Sequence, residues 1–216
     1  MCIFLAELNG MEAYATDIGN AYLEAKTEEK VCIRAGPEFG ALEGHLLVIY
    51  KALYGLRSSG LRFHELLGHC LKELGFKPSL CEPEIYMRQN KEGLWEYVAT
   101  YVDDLCIVMR NPNEFLEVLT SNPYNFKLKG SGPLSFHLGC GFERDEHGVL
   151  CMDPKKYISK IEDSFKKLFG CMPNKKFHSP LVDGDHPELD TSEFLDKDGI
   201  QKYQSLVGAM QWAVYP

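Results

Sequence analysis

The apolar positions of this chain change period several times, and each change marks an element. Over residues 58–74, Leu61, Leu67, Cys70, Leu71 and Leu74 recur at three- and four-residue steps ahead of Gly75, which predicts an amphipathic helix with a glycine stop. Residues 154–169 repeat the pattern, with Ile158, Ile161, Phe165 and Leu168 on one face. Shorter helices are predicted over 2–10, ending at Gly10, over about 20–25 with Asn20 as cap, over 113–119 behind Pro112, and over 200–214. Strands are predicted where β-branched and aromatic residues gather: 13–17, 31–34, 46–51, 84–88, 94–102, 105–109, 134–142 and 148–152. Helices and strands do not alternate strictly, so the expected class is α+β rather than doubly wound α/β.

One interruption in this pattern carries chemistry. Asp103 and Asp104 stand side by side between two apolar runs, 94–102 and 105–109, and so read as the tip of a hairpin. Adjacent carboxylates repel each other unless a cation binds between them, which points to a divalent metal. Asp17 ends a separate short strand. If that strand pairs beside the hairpin, the axes lie about 4.8 Å apart, and the carboxylates could hold two Mg²⁺ ions about 3.5–4 Å apart. After Asp17 come Ile18, Gly19, Asn20, Ala21 and Tyr22. Helix-start N–H groups at Asn20 and Ala21 favour phosphate oxygens, and a Tyr22 ring over a sugar would crowd a 2′-hydroxyl. Read alone, Asp17 also fits a strand-end turn residue and Tyr22 a core aromatic.

Composition narrows the context. The chain has 216 residues, 45% hydrophobic and 25% charged, as in an ordinary globular protein. The net charge of −8 is unexpected for a nucleic-acid binder, but it is uneven. Residues 124–180 carry ten Lys/Arg against six Asp/Glu, and residues 181–198 carry seven Asp/Glu against one Lys. The acidity is partly that of a polar, proline-bearing stretch, expected to be a linker over 173–199, and the segment before it can meet phosphates. Eight scattered cysteines with no C-x-x-C pair fit a reducing compartment, and the seven histidines show no ligand spacing. Trp95 and Trp212 are expected as core anchors. No basic leader and no run of about 18 apolar residues is present, so neither a signal peptide nor a membrane span is expected and the location is expected to be cytoplasmic.

Five segments, in order, resemble a copia-type retrotransposon reverse transcriptase. Asp17-Ile-Gly-Asn-Ala-Tyr-Leu23 is similar to the first acidic polymerase motif, and Lys51-Ala-Leu-Tyr-Gly-Leu-Arg57 to the copia-type lysine-to-glycine-leucine segment. Tyr101-Val-Asp-Asp-Leu105 is similar to the aspartate pair, Phe136-His-Leu-Gly139 to the primer-contacting hairpin, and Tyr203-Gln-Ser-Leu-Val-Gly-Ala209 to the segment preceding RNase H. The resemblance implies a polymerase palm: an antiparallel sheet with helices packed on one face, partial fingers and a C-terminal connection segment. It implies a division into 1–172 (palm with partial fingers and the start of a thumb), 173–199 (acidic linker) and 200–216 (the start of a connection).

The implied activity is RNA-directed DNA polymerisation by two-metal nucleotidyl transfer. Asp17, Asp103 and Asp104 would be catalytic and, with the Ile18 carbonyl, would hold two Mg²⁺ (or Mn²⁺). Asn20, Ala21, Tyr22 and Gly55 would bind nucleotide, and Phe136, His137, Leu138 and Gly139 would touch the primer. Lys129 and Lys127 are equal candidates for assisting pyrophosphate departure. The implied partners are a primed RNA or DNA template and deoxynucleoside triphosphates, inside a virus-like particle in a full element. Arg57-Ser58-Ser59-Gly60 stands where family members often carry Lys-Gln-Ala-Pro, which leaves the role of Ser58 open. The chain starts just before Asp17 and stops before any RNase H carboxylates, and no integrase motif appears, so a truncated copy is expected. The alternatives are an inactive remnant or domesticated nucleic-acid-binding domain, and a metal-dependent nuclease.

Overall fold

The computed structural model describes residues 1–172, 186, 189 and 191–214, so much of the expected 173–199 linker lies outside the described residues. The chain divides into two compact units, Met1–His137 and Leu138–Pro216. The first is built on a sheet of six strands, all antiparallel to their neighbours: β1 (Glu12–Ile18), β4 (Lys77–Pro78), β5 (Ile85–Gln89), β6 (Trp95–Tyr101), β7 (Asp104–Met109) and β8 (Leu128–Pro133). Their order is β4-β5-β6-β7-β1-β8, so β7 and β1 are neighbouring inner strands although more than 80 residues of chain separate them. A separate hairpin pairs β2 (Cys32–Arg34) with β3 (Leu46–Val48).

Strand β7 shows why the sheet is covered on both sides. Its residues alternate between faces, and Leu105 through Met109 are all buried. Leu105, Ile107 and Met109 join a core with Phe63, Leu67, Cys70 and Leu71 of α3 (Ser59–Glu73) and with Phe115 and Leu119 of α4 (Pro112–Thr120). Cys106 and Val108 face the other way and meet Cys2 and Ala6 of α1 (Cys2–Asn9). The expectation of helices on one face therefore holds for α3 and α4 and is corrected for α1. An inner strand with five consecutive apolar residues needs a cover on each side.

Several boundaries differ from the periodicity reading, each for a local reason. Strand β8 was not expected, because Leu128-Lys-Gly-Ser-Gly-Pro133 is poor in strand formers. It is tolerated as the sheet's last strand. The run 134–142 is not continuous: β9 (Phe136–His137) ends where Leu138 and Gly139 take positive φ of 47° and 86°. In the second unit, β10 (Cys140–Arg144) pairs with β11 (Leu150–Asp153), followed by α5 (Lys155–Phe169) and α6 (Lys197–Val214). There Tyr157 donates from its hydroxyl to the Ala209 carbonyl at 2.9 Å, and its ring lies 4.6 Å from that of Trp212. The two tryptophans are not core anchors, being 43% and 47% exposed at positions 95 and 212. An indole can lay one face on neighbours and leave the other in water.

Two outcomes follow from this packing. Phe63 is fully buried in the larger core, so Phe63→Ala should lower unfolding free energy in urea by about 3–5 kcal/mol. A change below 1 kcal/mol would mean that α3 is not packed as described. Val102, in the turn joining β6 to β7, has φ 57°, a strained setting for a β-branched residue. Val102→Gly should therefore raise the unfolding free energy by about 0.5–1 kcal/mol, relief outweighing glycine's extra unfolded freedom.

Candidate active site

The antiparallel register of β1 and β7 runs from Glu12 opposite Met109 to Asp17 opposite Asp104. Directly opposed residues project their side chains from the same face of a sheet, so the carboxylates of Asp17 and Asp104 share one face. A chain separation of 87 positions is thereby reduced to a single cross-strand pair. Asp103 sits in the two-residue turn with Val102, and its carbonyl accepts the Ile18 N–H at 2.9 Å, tying the hairpin tip to the end of β1. All three aspartates are half-buried, and Ile18 is fully buried.

The charges of these groups act on one another. The Asp104 carboxyl is raised above its ordinary range, first by burial and then by the negative charges of Asp103 and Asp17, while His137 opposes the shift. His137 is itself lowered, by burial, with Asp104 pulling the other way. Among the described residues no group of three or more His, Cys, Asp or Glu side chains closes into a ready-made metal cage. The donor set still fits a hard cation. Mg²⁺ is commonly held by one or two carboxylates plus substrate phosphates rather than by an all-protein cage, and Asp17 and Asp104 supply two opposed carboxylates.

Around the acids, the segment after β1 turns through a left-handed Asn20 (φ 56°), which caps α2 (Ala21–Glu24) without a side-chain bond. A Cβ at Gly19 would meet the Lys127 carbonyl oxygen at 3.2 Å, Lys129 Cε at 2.6 Å and Lys129 Nζ at 3.2 Å. Lys129 is the register partner of Asp17 on β8, next to a bulge that takes in the left-handed Gly130 (φ 62°). Lys127 instead offers its carbonyl to the Gly19 N–H at 2.7 Å. Of the two lysines, the ammonium group packed over the Asp17–Gly19 corner is that of Lys129.

The aromatic side of the site is formed by Tyr22, Tyr54 and Phe63. Tyr22 lies with its ring centroid 4.5 Å from that of Tyr54 and 6.3 Å from that of Phe63. Tyr54 was not among the expected site residues. Its phenol is raised by partial desolvation, then by the charges of Asp103, Tyr22 and Asp17, which puts it in electrostatic reach of both acids and the neighbouring tyrosine. Gly55 follows at φ 101°, a conformation open to glycine, and nothing lies within 4 Å of where a Cβ would stand. The loop is pinned by buried Ser59, whose hydroxyl donates to the Leu53 carbonyl at 2.6 Å, while Ser58 caps α3 with no side-chain bond. A periodicity reading had no means of finding Ser59. Tyr54 was visible only as an aromatic inside the leucine-tyrosine-glycine segment.

The expected primer-contacting residues divide between the units. Phe136 and His137 end the first, with Phe136 exposed and His137 half-buried near Asp104. Leu138 and Gly139 open the second, where a Cβ on Gly139 would come within 2.9 Å of the Trp212 ring. A cavity of about 600 Å³ lined by Arg88, Glu96 and Arg110 lies at the opposite end of β7, beside Met109. There Arg88 is already engaged by Glu96 and the Leu74 carbonyl. No helix among the described residues is long and apolar enough to cross a membrane.

Comparison with known proteins points to the same family. Residues 2–177 match the family model described as reverse transcriptase (RNA-dependent DNA polymerase). The chain is 26% identical to a transposon Ty5-1 protein of Saccharomyces cerevisiae, over 90% of this chain and 61% of that protein. It is 24% identical to the transposon Ty1-DR1 Gag-Pol polyprotein of the same yeast, over 92% of this chain and 12% of the polyprotein. It is 22% identical to the retrovirus-related Pol polyprotein from transposon RE1 of Arabidopsis thaliana, over 92% of this chain and 13% of that protein. The chain thus spans about three fifths of one relative and about an eighth of the two polyproteins. With most of its length matched by that model, the chain belongs to the reverse transcriptase family, in the branch found in copia-type retrotransposons.

Proposed function

We propose that the chain serves as the palm of an RNA-directed DNA polymerase, adding deoxynucleotides to a primer on an RNA or DNA template. The observation that carries this reading is the register that sets Asp17 opposite Asp104, one residue from Asp103 in the turn. Asp17, Asp103, Asp104 and the Ile18 carbonyl would hold the divalent ions, Mg²⁺ or Mn²⁺. When bound, two such ions activate a 3′-hydroxyl and neutralise the charge on the reacting phosphate and the leaving pyrophosphate.

The remaining work falls to the chain's own groups. Asn20 and Ala21 present backbone N–H groups from the corner after β1 to triphosphate oxygens. Lys129, whose ammonium group lies beside Gly19, would meet negative charge on the leaving pyrophosphate. Tyr22 closes the space beside the sugar and disfavours a 2′-hydroxyl. Gly55 leaves the backbone open on the side where a base would lie. Phe136, His137, Leu138 and Gly139 are proposed to touch the primer. Phosphoryl transfer depends mainly on positioning and charge neutralisation, which fits a site made of carboxylates, a lysine and backbone amides. The β2–β3 hairpin would serve as part of the fingers and α6 as the start of a connection. Template, primer, triphosphates and the RNase H and integrase regions of a full polyprotein are the proposed partners, in the cytoplasm.

The purified chain, given a primed RNA template, millimolar Mg²⁺ and one labelled deoxynucleotide, should extend the primer according to template sequence. Asp103→Asn should reduce extension at least about 100-fold, as expected for loss of a group that stabilises transferred phosphoryl charge. Binding of primer-template with no extension under any metal condition would favour the remnant reading.

Thermal unfolding separates the metal site from the chemistry. Folding raises the Asp104 carboxyl, so its contribution weakens the fold as pH climbs from its unfolded range into the raised one. Asp104→Asn should therefore melt higher than the native chain at pH 7 without metal. The native chain should gain stability from millimolar Mg²⁺ or Mn²⁺, and Asp104→Asn should lose most of that gain. Equal gains in both would place the metal elsewhere.

A further inference from the structure

We infer that Tyr54 is a positioning and specificity-determining residue: its ring holds the Tyr22 ring in place, and through it sets discrimination between deoxyribo- and ribonucleotides. The inference rests on the reading of Tyr22 as the residue beside the sugar, and it adds what keeps that residue there.

Tyr22 sits on a four-residue helix, too short to be held by its own hydrogen bonds. Its side chain must therefore be fixed by what surrounds it. On one side is Phe63, wholly buried in the core, at 6.3 Å between centroids and a 56° tilt. On another is Tyr54 at 4.5 Å and 33°. The Tyr22 hydroxyl ends near Gly60, where a Cβ would lie 3.6 Å from it. The remaining side is open: Tyr22 borders a cavity of about 490 Å³ that it shares with Leu61, His64, Leu67 and Thr100.

That volume decides the matter. A phenol ring next to several hundred cubic ångströms of space can swing into it, and packing alone prevents this. Phe63 is a fixed wall of the core. Tyr54 is 59% exposed, on a loop whose path depends on Gly55 at φ 101° and on the Ser59 hydroxyl held by the Leu53 carbonyl. Tyr54 does little for the core, and its main contact with Tyr22 is ring against ring. Removing the ring should leave the fold intact and let Tyr22 sample the cavity, while the phenol oxygen is dispensable for this role.

The test uses the full chain with 3-fluorotyrosine placed at position 22, read by fluorine NMR, together with primer extension comparing dATP with ATP. The native chain and Tyr54→Phe should each give one sharp position-22 resonance. Tyr54→Ala should give a broadened or second resonance with an unchanged melting temperature within about 2 °C. Preference for dATP over ATP, as a ratio of kcat/KM, should fall about three- to tenfold in Tyr54→Ala and be kept in Tyr54→Phe, the size expected for loss of one aromatic pair. A single unshifted resonance in Tyr54→Ala overturns the inference whatever the activity. So does a Tyr54→Ala chain that keeps its preference while Tyr22→Ala loses it. If Tyr22→Ala itself keeps the native preference, the reading of Tyr22 falls, and the assignment of Tyr54 falls with it.

Discussion

The structure depends on one pairing: β1 against β7, antiparallel, with Asp17 opposite Asp104. It is costly to form, because the chain between the two strands must first be closed into a loop. What drives it is not the acids, whose mutual repulsion opposes it. The driving force is burial along the same ladder, where Ile18, Leu105, Ile107 and Met109 meet the α3 and α4 side chains, and Cys106 and Val108 meet α1. A slip of one residue would turn every one of these side chains to the wrong face. The apolar register therefore positions the carboxylates, and the acids occupy the ladder's end, where they are only half-buried.

This arrangement explains why the surroundings carry so many unusual backbone states. Val102, Asn20, Gly55 and Gly130 all have positive φ, and all lie within the turns and edges next to the acids. Regular strands bury their groups, so the half-buried carboxylates, the lysine and the aromatic ring gather where strands end. The bulge in β8 aims Lys129 at the corner after Asp17, and Gly19 leaves the room that the lysine occupies.

How much of this was legible follows from the range of each interaction. The α3 helix and the acidic hairpin were readable, because both are written in local periodicity. The helix-sheet class and the family also came through, since five short motifs keep their order. Strand β8 was hidden by its glycines and proline, and it exists because β1 offers it a partner. The placement of α1 was hidden because β7 is apolar at every position from Leu105 to Met109, which says that it is buried but not by what. Lys127 and Lys129 were equivalent in sequence, and a one-residue bulge tells them apart. Tyr54 and Ser59 act across a loop through contacts that no spacing rule encodes.

The composition of β8 has one further effect. As one of the sheet's two edge strands it has a neighbour in that sheet, among the described residues, on one side only, and an edge of this kind is the surface on which other chains can stack into fibrils. Its Lys129, Gly130, Gly132 and Pro133 give such a neighbour a cation, two residues with no side chain to interlock, and a missing donor. The residues that concealed the strand from a periodicity reading also make it a poor seed for self-association.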